Sequence, residues 1–137
     1  MTDPEIRDIL KRAHTIAMVG ASDKPDRDSY QVMAYLIAHG YRVIPVNPTV
    51  ETVQGERSYP SLTAIPERVD VVDIFRSSDA VPPIVDEAIA IGAPVVWMQL
   101  GILNEEAARK ARAVGLDVVM DHCMRAEHRR LIERPVE

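Results

Sequence analysis

Five short apolar runs alternate along the chain with segments in which apolar residues recur at helical spacing. The runs are strand candidates over residues 15–19, 41–46, 69–76, 94–100 and 116–120. The helical spacing covers residues 3–13, 29–39, 80–91, 104–114 and 123–132. Near-continuous apolar strands that alternate with helices are typical of a parallel sheet covered on both faces. The pattern therefore predicts an α/β fold, a Rossmann-like three-layer sandwich with a five-stranded, mainly parallel sheet.

Residues that favour helix ends support this division. Asp3 and Pro4 fit the N-cap and first position of the first helix, and Gly40 fits the end of the second. Asn104 fits the N-cap of a later helix that Gly115 follows. Residues 49–68 are weakly patterned and have room only for a short helix over 61–64. No linker or repeat divides the chain, so we predict a single domain over residues 1–137.

Composition narrows the classes of partner. The formal net charge is -5, and basic residues gather only in the last helix, so we predict no nucleic-acid partner. The apolar runs are shorter than the roughly 18 residues of a membrane span, so we predict no membrane partner. Cys123 is the single cysteine, and the polar, acidic start of the chain does not fit a signal peptide. We therefore expect a cytoplasmic protein.

The turn after the first strand carries the strongest functional signal. The strand ends in Gly20, Ala21 and Ser22, small residues that let backbone N–H groups approach an anion. A helix follows, and its N-terminus favours negative charge. Lys24 and Arg27 are the cations of this loop and are candidates for phosphate contacts, although solvated loop charges are equally expected. A tight turn without a ligand is the alternative interpretation.

Two features argue against NAD as the ligand. The loop after Gly20 lacks the second and third glycines of the Gly-x-Gly-x-x-Gly fingerprint. The second strand ends in Asn47 and Pro48, where a dinucleotide-binding fold generally carries an acid for the ribose hydroxyls. In a doubly wound sheet the ligand lies beyond the carboxyl ends of the strands, which would bring Asn47, Arg76 and Gln99 to the edge that holds the glycine turn. The sequence thus predicts a phosphorylated ligand other than NAD.

Five short motifs occur in order along nearly the whole chain. They are Gly20-Ala21-Ser22 with Lys24, Pro25 and Arg27, then residues 41–48, 73–76 and 97–102, and finally residues 121–124 with Glu127 and His128. Together they resemble the small stand-alone CoA-binding domain family. The architecture is also similar to the N-terminal CoA-binding domain of the succinyl-CoA synthetase alpha subunit. His122 departs from this pattern, because members of the small family often have arginine there.

The resemblance implies a role for each motif. The CoA phosphates would lie at the turn of residues 20–22, the adenine beside the segment 46–48, and the thiol end near Gln99 and Gly101. The candidate CoA site is therefore Gly20, Ala21, Ser22, Lys24, Arg27, Val46, Asn47, Pro48, Arg76, Gln99 and Gly101. Ligase chemistry does not carry over, because the synthetase places its phospho-accepting histidine in a further domain.

No residue is assigned to catalysis or to a metal. Cys123 lies close to His122 and His128, but adjacent side chains diverge and one cysteine is a poor anchor for zinc. We interpret Cys123 as a half-buried residue at a helix start, and Phe75 and Trp97 as packing residues. The predicted function is binding of CoA or an acyl-CoA in a regulatory or carrier role. The alternatives are a small NAD(P)- or thiol-dependent enzyme and an interaction module with a vestigial nucleotide site.

Overall fold

The computed structural model describes residues 1–133 and confirms the Rossmann-like sandwich. Residues 134–137 of the predicted domain lie outside the described part. The helices are α1 (Asp3–Arg12), α2 (Asp28–Ala38), α3 (Val81–Ala90), α4 (Glu105–Ala113) and α5 (Met124–His128). The strands are β1 (Thr15–Val19), β2 (Arg42–Val46), β3 (Thr52–Val53), β4 (Glu56–Arg57), β5 (Val71–Ile74), β6 (Val95–Met98) and β7 (Asp117–Val119). No helix within residues 1–133 has the length and apolar content to cross a membrane.

The main sheet has the strand order β2-β1-β5-β6-β7, and every neighbouring pair is parallel. Val19 at the end of β1 lies opposite Val46 of β2 on one side and Ile74 of β5 on the other. The strand order reverses between β1 and β5, which is the position where such sheets bind ligands. The loop that joins β1 to α2 begins at this point.

Two apolar layers cover the sheet. On one face, Met18 and Trp97 pack with residues of α1, α2 and α5, among them Met33. On the other face, Ile74 and Met98 pack with residues of α3 and α4. Trp97 is fully buried and its Nε1–H donates a 2.8 Å hydrogen bond to the carbonyl of His122, so its predicted packing role is confirmed.

The structure corrects three local predictions. Helix α1 begins at Asp3 with Thr2 as its N-cap, because Thr2 and Glu5 form a reciprocal capping box that places Asp3 inside the helix. The weakly patterned stretch holds the predicted short helix, which is a 3₁₀-helix over Leu62–Ala64, but also an unpredicted hairpin, β3–β4, whose turn places Gln54 and Gly55 at positive φ. The last helix is α-helical only to His128 and continues as one π-helical segment over 129–133.

One acidic side chain lies inside the apolar layer. Asp73 of β5 is fully buried between Met18 of β1 and Trp97 of β6, and neither carboxylate oxygen has a hydrogen-bond partner within residues 1–133. Burial raises the pKa of Asp73 well above its usual value, because the charged form loses its hydration. Burial therefore favours the neutral acid of Asp73, and its ionisation opposes folding.

Candidate functional site

The turn after β1 is fixed by the end of β5. Gly20 has φ of 86°, and a β-carbon at this position would lie 2.6 Å from the carbonyl oxygen of Phe75. The Gly20 N–H donates a 3.0 Å hydrogen bond to the carbonyl of Val46. A glycine is therefore required by both the backbone angle and the close approach of β5.

Side chains from α2 and β2 hold the rest of the turn. Ser29 Oγ accepts a 3.0 Å hydrogen bond from the N–H of Ser22, and Ser22 Oγ accepts one of 3.1 Å from the N–H of Lys24. Asn47 Nδ2 donates a 2.8 Å hydrogen bond to the carbonyl of Ala21. The N–H groups of Gly20 and Ser22 are thus engaged within the protein, contrary to the expectation that the turn itself offers them to an anion.

Among residues 1–133, backbone N–H groups that remain free follow this turn, at the start of α2. The N-cap residue, Arg27, makes no side-chain capping hydrogen bond. Throughout residues 1–133, no acceptor is found for the N–H groups of Asp28, Ser29 and Tyr30. These groups and the positive end of the helix dipole form a site for an anion. The sequence pattern located this helix but did not identify Ser29 as the residue that braces the turn.

A cleft of about 490 Å³, here called the loop cleft, opens in front of this helix end. Its lining is Gly20, Ser22, Asp23, Lys24, Asp26, Arg27, Asp28, Ser29, Asn47, Thr49, Val50 and Phe75. Within the described chain, Lys24 and Arg27 form no ion pair, so both can reach a ligand. The carboxylates of Asp23, Asp26 and Asp28 would repel an anion. An anionic ligand would therefore have to lie close to Lys24, Arg27 and the start of α2.

A second cavity of about 380 Å³ adjoins the loop cleft and shares Asp28 and Phe75 with it. Its other lining residues are Val32, Gln99, Leu100, Ile102, Cys123 and Arg125, so its wall mixes apolar and polar side chains and is more apolar than that of the loop cleft. Gln99 Oε1 accepts a 3.1 Å hydrogen bond from the N–H of Met124, which fixes α5 at the edge of this cavity. Cys123 is half-buried at the N-cap of α5, as predicted.

The structure separates the predicted CoA residues into groups. The loop cleft contains Gly20, Ser22, Lys24, Arg27 and Asn47, and the second cavity contains Gln99. A cavity of about 140 Å³ on the other face of the sheet contains Val46, Pro48 and Arg76.

Two predicted residues line none of these three cavities. Ala21 is buried under the turn, with its carbonyl bound to Asn47. Gly101 donates its N–H to Asp121 at 2.6 Å. Phe75 was predicted only to pack, yet it lines both the loop cleft and the second cavity.

The hydrogen bonds of Asn47 explain why an amide, rather than an acid, follows β2. Besides donating to Ala21, Asn47 accepts hydrogen bonds from the N–H and hydroxyl of Thr49 at 2.9 and 2.7 Å. A carboxylate here would face the Ala21 carbonyl without a proton to donate. The predicted turn at Asn47 is confirmed. Through these hydrogen bonds the Asn47 side chain links the loop after β2 to the turn after β1.

Comparison with known proteins decides the family. A profile described as a CoA binding domain matches residues 14–129. The chain belongs to this CoA-binding domain family. It is 41% identical over 124 residues to the uncharacterized protein YneT of Bacillus subtilis, covering 90% of this chain and 92% of YneT.

Two further relatives are a protein of solved structure and a subunit of a larger enzyme. A hypothetical protein from Pyrococcus horikoshii has a solved structure that matches with a TM-score of 0.94 and 48% identity, covering 96% of this chain and 93% of that one. The alpha subunit of an ADP-forming acetate–CoA ligase from Pyrococcus furiosus is 30% identical over 104 residues. That match covers 69% of this chain but 22% of the ligase subunit, so the ligase has a large part without a counterpart here.

Proposed function

We propose that the protein binds CoA or an acyl-CoA across the loop cleft and the second cavity, in a regulatory or carrier role. The observation that carries this proposal is the N-terminus of α2, which has no side-chain cap and opens into the loop cleft beside Lys24 and Arg27, two cations that form no ion pair within residues 1–133. The family supplies the ligand class, since its shared feature is a CoA binding domain. The volume of the loop cleft lies within the usual range of about 300–1,000 Å³ for small-molecule sites.

The two cavities differ in chemistry, and this difference gives the ligand an orientation. The loop cleft holds Lys24, Arg27 and the N–H groups at the start of α2, so it takes the phosphates and the nucleotide end. The second cavity, whose wall is the more apolar of the two, takes the pantetheine arm, which passes Phe75 because that side chain lines both spaces. The thiol or acyl end then lies near Gln99 and Cys123.

A binding role is favoured over catalysis because two polar side chains near the thiol end already hold hydrogen bonds within the protein. Gln99 Oε1 accepts a hydrogen bond from the N–H of Met124, and Asp121 Oδ1 accepts one from the N–H of Gly101. A thiol-dependent catalyst is the second candidate function, and one observation favours it: Cys123 lines the second cavity, where the end of the arm would lie. The two candidates share the ligand and differ in whether the Cys123 thiol reacts with it.

Thermal unfolding with added ligands tests the proposal. A ligand that binds only the native state raises its stability, by about 2.7 kcal/mol at a hundredfold excess over Kd. We expect CoA to raise the melting temperature, and NAD to leave it nearly unchanged because Asn47, rather than an acid, follows β2. Equal shifts with CoA and NAD would contradict the proposed ligand. The absence of a shift with either would favour the interaction module with a vestigial site.

A further inference from the structure

A cluster of metal-binding side chains lies outside the proposed CoA site. His39, His128 and Glu133 each place one ligand atom within 4.8 Å of the others. His39 Nε2 is 2.9 Å from Glu133 Oε2. In a tetrahedral zinc site with bonds of about 2.0–2.1 Å, neighbouring ligand atoms lie roughly 3.4 Å apart. Small side-chain movements would therefore bring these three groups to coordination distance.

Tyr35 orients both imidazoles. The Nδ1 of His39 lies 2.7 Å from the backbone carbonyl of Tyr35, and the Nδ1 of His128 lies 2.8 Å from its hydroxyl. That carbonyl can only accept, so His39 donates from Nδ1. The Tyr35 hydroxyl donates to Glu133 at 2.8 Å, so it accepts from His128. Each histidine thus carries a proton on Nδ1, which leaves Nε2 as the nitrogen with a free electron pair for a metal ion.

The pKa shifts of His128 and Glu133 favour the protonation states that bind a cation. Burial lowers the pKa of His128, which favours the neutral imidazole that a metal requires. The hydrogen bond from Tyr35 lowers the pKa of Glu133, which favours the carboxylate. His39 Nε2 lies 2.9 Å from Glu133 Oε2, so a divalent ion could bind between these two atoms.

The local backbone explains how Glu133 joins His128. The two residues are five positions apart, a spacing that an α-helix would turn to different sides. The segment 129–133 is π-helical, and its wider turn brings residues five apart onto one side. His39 follows the last turn of α2, and its side chain is 32% exposed, so an ion can enter from solvent. The spacing of these residues in the sequence resembles no metal motif, so the sequence alone did not single them out.

We propose that His39, His128 and Glu133 bind a divalent transition-metal ion of the zinc type, which fastens the segment 129–133 to the end of α2. Nitrogen and carboxylate ligands suit Zn²⁺, and water would complete the coordination. The proposal is independent of CoA binding, because none of the three residues lines the loop cleft or the second cavity.

Metal titration of untagged protein, freed of metal by a chelator, tests this site. We expect calorimetry with Zn²⁺ to give one ion per chain with Kd of about 1 μM or below. The variants His39→Ala and Glu133→Gln change exposed residues, so they should fold, and each should weaken binding at least tenfold. Zn²⁺ should also raise the melting temperature of the unchanged protein more than that of either variant.

Matched control variants test whether the ion binds at these three residues. His14→Ala and Glu106→Gln remove an exposed imidazole and an exposed carboxylate elsewhere, and both should leave Zn²⁺ affinity unchanged. Co²⁺ should give the visible absorption of tetrahedral coordination by nitrogen and oxygen. The proposal is overturned if the unchanged protein binds no Zn²⁺, since the cluster would then be an ion pair and hydrogen-bond network only. It is equally overturned if His39→Ala and Glu133→Gln retain full affinity.

Discussion

Gly20 and Phe75 approach so closely that a β-carbon on Gly20 would lie 2.6 Å from the Phe75 carbonyl oxygen. This contact seats the turn after β1 against the end of β5, where the strand order reverses. The glycine is therefore needed for packing as well as for its positive φ. Phe75 in turn lines both the loop cleft and the second cavity, so the same contact helps to shape the proposed site.

Gly20→Ala should destabilise the protein more than Gly101→Ala. Both glycines have positive φ, 86° and 83°, so each alanine carries a backbone cost of about 1–2 kcal/mol. A β-carbon at Gly101 meets no atom of the described chain within 4 Å, whereas at Gly20 it meets backbone. We expect Gly20→Ala to lose about 1–3 kcal/mol more in urea unfolding. Equal losses would show that the turn relaxes away from Phe75.

The double variant Lys24→Ala, Arg27→Ala should weaken CoA more than its analogue that lacks the ribose 3′-phosphate. A loop cation can pair with that dianion only when the dianion is present, and a well-formed contact contributes roughly 1.5–3 kcal/mol. Screening in this exposed loop favours the lower end, about tenfold in Kd per residue. Calorimetric titration of both ligands measures the effect.

The control for charge is Arg109→Ala, Arg112→Ala. These exposed residues of α4 change the net charge by the same amount but lie outside both parts of the site. Their loss should leave CoA affinity nearly unchanged. If the loop variant weakens both ligands equally, Lys24 and Arg27 contact the pyrophosphate. If it weakens neither, the proposed position of the nucleotide end is wrong.

Cys123→Ser should leave CoA affinity nearly unchanged. The side chain is half-buried at the N-cap of α5, and the substitution keeps its size. Calorimetry should show a change smaller than tenfold, or about 1.4 kcal/mol. A larger loss, or a mixed disulfide between Cys123 and CoA in intact-mass spectra under oxidation, would support the thiol-dependent alternative.

Asp73→Asn should make the protein relatively more stable as the pH rises. A carboxyl whose pKa is raised by folding binds more protons in the folded state, so its ionisation costs stability above the unfolded pKa near 4. The difference in unfolding free energy between variant and unchanged protein should grow by up to about 1.4 kcal/mol per pH unit, until the folded pKa is reached. Denaturant unfolding at several pH values measures it.

Asp79, an exposed residue of the short helical turn over Ser78–Ala80, provides the matched control. Asp79→Asn removes a carboxylate that folding leaves exposed, so it should leave the unfolding free energy nearly unchanged. Parallel pH profiles for Asp73→Asn and the unchanged protein would mean that Asp73 finds a partner or water in solution.

Much of the fold was predictable because buried parallel strands leave long apolar runs. The hairpin β3–β4 was not, since two residues per strand show no periodicity. At the candidate site, the small residues of the turn pointed to the loop that lines the cleft. The hydrogen bond from the Ser22 N–H to Ser29 Oγ could not be predicted, because it depends on where α2 packs relative to the turn. The cluster of His39 and Glu133 also escaped prediction, because it needs both a packed C-terminal segment and a π-helical turn.

Backbone amide chemical shifts during a CoA titration test the central claim most directly. We predict the largest changes at residues 22–30 in the loop cleft and at residues 99–102 and Cys123 around the second cavity. A cavity of about 280 Å³ among residues that include Ala13, Arg68 and Pro94 lies at the opposite ends of the strands and serves as an internal control. Changes concentrated there, or none at saturating CoA, would contradict the proposed site.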